Sequence, residues 1–215
     1  MGMRHQIPQG ARLKALTVSG KVTVISEDRS DIEIDPPDRR LEMHEDVVEA
    51  HAKSTDLVIR VPHGLNISVG TVSGDIELQG RFGILKVGSV SGHVRVGDTA
   101  GDADLRSISG HIECGDCGGS CQANTKSGHI HLEHVQRNVL AHTMSGSIEA
   151  GVGGQGDVVL KTISGRVSVR VDSGKAPRAK LRSLSGRVRC ECPQGGDFEL
   201  KASSISGSIE VVQEE

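Results

Sequence analysis

Apolar and polar residues alternate along most of this chain, and one recurring phrase punctuates the alternation. It reads TVSGKVTV from Thr17, TVSGDIEL from Thr71, SVSGHVRV from Ser89, SISGHIEC from Ser107 and TKSGHIHL from Thr125. It continues as TMSGSIEA from Thr143, TISGRVSV from Thr162, SLSGRVRC from Ser183 and SISGSIEV from Ser204. The Ser of each Ser-Gly falls at 73, 91, 109, 127 and 145, a period of 18, then at 164, 185 and 206. The first copy, at Ser19, lies three such periods before Ser73. Alternation with period two predicts half-buried strands, and a fixed longer period predicts stacked repeats.

Each repeat reads as two strands joined at the Ser-Gly. Before it an inward column runs Val69, Val87, Leu105, Ala123, Ala141, Leu160 and Leu181. After it another runs Val22, Ile76, Val94, Ile112, Ile130, Ile148, Val167, Val188 and Ile209, all β-branched and suited to a pleated surface. A third follows as Leu78, Val96, Cys114, Leu132, Ala150, Val169, Cys190 and Val211. No helical period persists beyond about two turns. The Gly predicts a corner with positive φ, and the Ser and Thr around it predict hydroxyl ladders that satisfy corner backbone groups. The residue before each Ser is apolar at Val18, Val72, Val90, Ile108, Met144, Ile163, Leu184 and Ile205, with Lys126 the exception. Strict alternation would make this an exposed ridge and hence a partner surface. A kink at the corner that buries it, with Lys126 snorkelling out, is the expectation.

The fold class that follows is all-β, a single-chain β-solenoid of 18–21 residues per coil, right-handed or irregular. With strands about 4.8 Å apart it makes a rod of roughly 50 Å. Residues 67–215 carry the regular repeats, and residues 1–66 read as an N-terminal β cap with degenerate coils. Within that segment, 26–66 break the phrase with Pro36-Pro37, the charged run Asp38-Arg39-Arg40 and the strand-like DIEI (31–34) and LVIRV (57–61). Loops lengthen toward the carboxyl end, at 97–102, 151–157, 172–178 and 193–197, all after the second strand. They share one edge, the usual binding edge of a repeat protein. The last copy runs to Val212 and predicts a nearly bare coil edge beyond it.

Composition narrows function by exclusion. There is no Trp, no Tyr and only two Phe, while 25 Lys+Arg and 28 Asp+Glu are interspersed. Nucleic-acid binding would need a basic stripe or aromatic platforms, and sugar stacking needs aromatic faces. The opening residues hold no apolar run of signal-peptide length, and no membrane-spanning run follows. With five cysteines, an odd number, this predicts a reducing, cytoplasmic setting without direct membrane insertion.

Candidate chemistry centres on histidine. His93, His111 and His129 follow the Ser-Gly in three consecutive repeats, so their rings should stack. Glu113 and His131 lie two residues further along the same face. His111, Glu113, His129 and His131 thus form a candidate site for Zn²⁺ or a similar metal, or a proton-sensitive patch. As plain exposed strand residues they would contribute only cross-strand pairs. Cys114, Cys117 and Cys121 approach zinc-ligand spacing, but their register assigns them, with Cys190, to the core as small hydrophobes. No nucleophile–base pairing or phosphate-cradling loop is visible, so no enzyme activity and no cofactor beyond that possible Zn²⁺ is expected.

The iterated [ST]-x-S-G-x-[IV]-x-[VL] resembles the bacterial "putative adhesin" β-strand-repeat family of unknown function, well over 67–212 and loosely over 10–66. The resemblance implies a β-solenoid module, often attached to membrane or envelope proteins, with surface or stress roles. The combined expectation is a non-enzymatic scaffold or interaction module that binds a protein partner or itself through coil ends or the loop edge. The alternative is a metal-binding or pH-sensitive His face.

Overall fold

The computed structural model describes residues 3–8, 10–36, 41–44 and 46–214, so Pro37 and the charged run 38–40 lie outside the described residues. Among the described residues, alternation is realised as twenty-three strands in two long sheets of 12 and 11 strands. Each coil contributes one strand to each sheet. In the Ser127 coil these are Cys121–Ser127 and Ile130–Val135, with Ser-Gly-His turning the corner between them. Neighbouring coils pair in parallel, in register at the corner, for example Ser107↔Thr125, Thr125↔Thr143 and Ile112↔Ile130, with register shifts beyond Val96 and Leu132. The three predicted inward columns are buried along the body of the rod and form one continuous core between the sheets.

The stack is not in sequence order at its ends. On the 11-stranded sheet the coils run Ser54, Ser19, Ser73, then regularly to Ser164, and finish Ser206, Ser185. The first repeat therefore lies between the second and third coils, and the last lies inside the one before it. Residues 47–62 form a tenth coil, with Ser54-Thr55 in place of Ser-Gly. Beyond that coil, Asp31–Asp35 and Met3–Gln6 add antiparallel strands to one sheet and Leu41–His44 adds one to the other. At the opposite end the last strands are Arg178–Ser185 and Val188–Glu191, each paired on one side only. The bare edge predicted beyond Val212 thus belongs to the Ser185 coil, because Ile209–Gln213 is sandwiched between Val167–Val171 and Val188–Glu191.

Glycine is required at the corner chiefly by close approach. A Cβ on Gly128 would sit 2.0 Å from the Gly110 carbonyl oxygen, and one on Gly110 would sit 2.1 Å from that of Gly92. The contact always points toward the preceding coil of the stack. Thr55 stands in the first coil, where no earlier corner carbonyl excludes its side chain, which accounts for the missing Gly there. The hydroxyl column is buried except at Ser183, and it satisfies corner carbonyls in part. Thr143 donates to the Gly128 carbonyl at 3.3 Å, Thr162 to Gly146 at 3.2 Å and Ser183 to Gly207 at 2.9 Å. Among the described residues, the Thr71, Ser89 and Ser107 hydroxyl oxygens have no partner.

Candidate functional site

Three features on the rod could act outward: the histidine column, the apolar column and the cysteines. The histidines stack as predicted, with ring centroids 4.9 Å apart between His93 and His111 and 4.8 Å between His111 and His129. Their Nδ1 atoms have a defined task. The backbone N–H of His129 donates to His111 Nδ1 at 3.0 Å, and that of Ser147 donates to His129 Nδ1 at 3.0 Å. Two coils earlier the Asp75 carboxylate accepts from the His93 N–H at 2.8 Å, and at the start of the stack Asp56 accepts from Lys21 N–H at 2.8 Å. The residue after Ser-Gly is therefore a cap for the corner N–H of the next coil, and His fills it through an unprotonated ring nitrogen. Burial, then the neighbouring His129 and His93, hold the His111 pKa below its ordinary value, while Glu113 pulls it up.

The other two members of the Zn²⁺ set have their own partners. Glu113 binds Arg95 at 2.8 Å, and that guanidinium holds its carboxyl below the usual range. His131 lies opposite Glu113 in the register, but its ring nitrogens meet Glu133 at 3.0 Å and Glu149 at 3.3 Å. Among the described residues no three His, Cys, Asp or Glu side chains are grouped to hold a metal ion. His111, Glu113, His129 and His131 are thus divided between corner capping and surface ion pairing. The capping role escaped sequence reading because spacing gives adjacency but not which ring nitrogen is engaged. Asp75 at the same position was the available signal, since Asp is a good acceptor for an unpaired N–H.

Cys114, Cys117 and Cys121 are buried as predicted. Their thiols interact, so that Cys121 is pushed up by Cys114 and then Cys117, while the hydrogen bond from Cys121 lowers Cys117. Cys190 departs from the core assignment. It keeps the register of Val211, but it is exposed because no coil follows it.

The apolar column reverses its expectation. The chain does not kink to bury it: Val18, Val72, Val90, Ile108, Met144, Ile163 and Ile205 are 40% to 55% exposed, and Leu184 is 84% exposed. In stack order they form a ridge along the 11-stranded sheet, interrupted by Lys126 and preceded by Lys53. A trough of about 520 Å³ runs along the other margin of that face, lined by Ile84, Lys86, Asp104, Gln122 and Leu140 among others.

Known proteins bear on the fold. No curated protein matches the chain. A solved "putative adhesin" from Bacteroides fragilis NCTC 9343 is similar over 99% of this chain and 96% of its own, at 14% identity and a TM-score of 0.59. Another, from Parabacteroides distasonis ATCC 8503, aligns over 98% of this chain and 96% of its own at 13% identity, with a TM-score of 0.31. At such identities the first likeness is one of fold: an all-β stack of two long sheets, adhesin-like in architecture. The Toastrack DUF4097 family model matches residues 6–215, almost the whole stack, and the chain belongs to that family of unknown function.

Proposed function

We propose that this adhesin-like β-solenoid is a non-enzymatic interaction scaffold that pairs side by side with a second copy of itself, the apolar ridge of each rod seated in the trough of the other. The observation that carries the reading is the ridge itself, eight exposed apolar side chains in register along one sheet. Ten coils about 4.8 Å apart and strands about 23 Å long give a face of about 1,000 Å², against ~800 Å² per partner in a standard interface. A two-fold axis along the rods places ridge opposite trough in both copies. It also directs Lys126 toward a margin that carries Asp102, Asp104 and Asp157. The coil ends fit a second copy less well. The Ser185 coil carries Arg178, Lys180, Arg182, Arg187 and Arg189 against Glu191 alone, a like-charge barrier that protects an open edge.

The test is sedimentation velocity over a wide concentration range on the wild type, Val90→Glu/Ile108→Glu and Val188→Glu. A dimer whose dissociation constant rises at least about tenfold in the ridge variant, and not in Val188→Glu, supports the reading. A monomer at all concentrations, or a dimer weakened only by Val188→Glu, refutes it. A proton-sensitive face is a second reading, favoured by one observation: three ring nitrogens, on His93, His111 and His129, that must stay unprotonated to hold their coil contacts.

A further inference from the structure

The Ser185 coil carries a feature unrelated to pairing of the rods. Along the body of the stack, the third inward column is sealed by coils on both sides. In the last coil that column ends in Cys190, on a strand paired only with Ile209–Gln213, so its thiol is open to solvent. Two residues on, in an extended strand, the next side chain of the same face would belong about 6.6 Å further along. The strand, however, stops at Glu191 and the chain bends at Cys192. The bend brings Cys192 Sγ within 3.3 Å of Cys190 Sγ. Gln194, just past the bend, donates from Nε2 to Cys190 Sγ at 3.1 Å and fixes that sulfur in place.

We propose that Cys190 and Cys192 are a solvent-reachable dithiol that exchanges with a low-molecular-weight disulfide to form an intrachain Cys190–Cys192 disulfide. The two sulfurs have different roles. Cys192 is nearly buried, and burial followed by the neighbouring Cys190 pushes its pKa up to about 11, so it remains a thiol near neutral pH. Cys190, exposed, is the sulfur a small disulfide can meet. Its thiolate attacks one sulfur of the reagent. The reagent's S–S bond breaks, one thiolate leaves and takes up a proton, and Cys190 is left in a mixed disulfide. Cys192 then gives up its proton and attacks the Cys190 sulfur, displacing the second thiolate, which is protonated in turn. Two electrons and two protons pass from the cysteine pair to one disulfide, giving two small thiols. Closing the bond needs the sulfurs to approach by about 1.2 Å, to ~2.05 Å. Among the described residues no outer strand on this coil opposes that shift. The trio Cys114, Cys117 and Cys121 is the internal control: buried between coils, it should not meet the reagent.

The experiment treats the reduced, folded chain with oxidised glutathione, quenches with acid, alkylates the remaining thiols and maps tryptic peptides by mass. The two groups fall on separate peptides, 190–201 and 107–126. The expected result is loss of two hydrogens from peptide 190–201, at least about tenfold faster than any oxidation of peptide 107–126, since reactivity follows exposure. Cys192→Ser should stop at a glutathione adduct on Cys190, and Cys190→Ser should leave Cys192 unmodified. The proposal is overturned if wild-type peptide 190–201 stays fully alkylated, if it stops at the adduct, or if the core peptide oxidises as fast.

Discussion

Replacing Gly128 with Ala tests whether corner packing spaces the coils. The new Cβ would lie 2.0 Å from the Gly110 oxygen, where ordinary contact begins near 3.4 Å, and the obstacle is backbone, not a movable side chain. The two corners would have to part by about 1.4 Å. Two ladder bonds that join them, Gly110 N–H to Ser127 O at 3.1 Å and Ile112 N–H to His129 O at 2.9 Å, would then be out of range. At about 1 kcal/mol each, with residual strain from overpacking, the cost is ~3 kcal/mol. For a chain of this size that lowers the melting midpoint by about 6–12 °C. Gly88→Ala is the matched control: a Cβ there meets nothing within 4 Å. Removing a glycine from a strand interior should raise stability by about 0.5 kcal/mol. Far-UV circular dichroism in urea and on heating measures both. Equal effects, or a Gly128→Ala protein within about 0.5 kcal/mol of wild type, would show that the corner contact does not set coil spacing.

Stability should also fall as acid takes the pH below the ordinary histidine value of 6.5. The folded pKa of His111 lies below its ordinary value of 6.5, so its contribution is complete above the unfolded value and is lost as pH falls toward the folded one. The groups facing it are His129, His93 and Glu113, and His111→Asn, whose carbonyl can accept the same N–H without titrating, should flatten the melting profile; a slope as steep as wild type would contradict the capping role. Thr143→Val removes the donor to the Gly128 carbonyl from a fully buried site and should cost about 1 kcal/mol in urea unfolding. Lys126→Glu reverses the charge directed at Asp102, Asp104 and Asp157 and should weaken the dimer by at least about fivefold in sedimentation; unchanged association would count against ridge-in-trough pairing.

The body of the rod was legible because alternation assigns every residue of a strand to one face, and the columns from Val94 to Val167 occupy the predicted positions. Coil order at the ends was not, since near-identical repeats do not state which neighbour they take. The only trace is the lengthened spacing of 21 residues from Ser164 to Ser185 and again to Ser206, which lets the chain pass over a coil and return. The ridge followed strict alternation; assuming that so many apolar residues must be buried led to the wrong side of the sheet. Cys190 was assigned by column alone, and a column does not say which coil lies outermost.

The crossed order at both ends bears on how the rod is completed. In a simple solenoid each coil can fold on the one made just before it, so growth follows the chain. Here the Ser185 coil has no template when it arrives: the surface it must dock on is made by residues 199–213, which come later and must first seat themselves on the Ser164 coil. The Ser19 coil likewise waits for both of its neighbours. Nucleation should therefore belong to the regular middle, around the histidine ladder, with the two ends closing last through contacts between residues far apart in the chain.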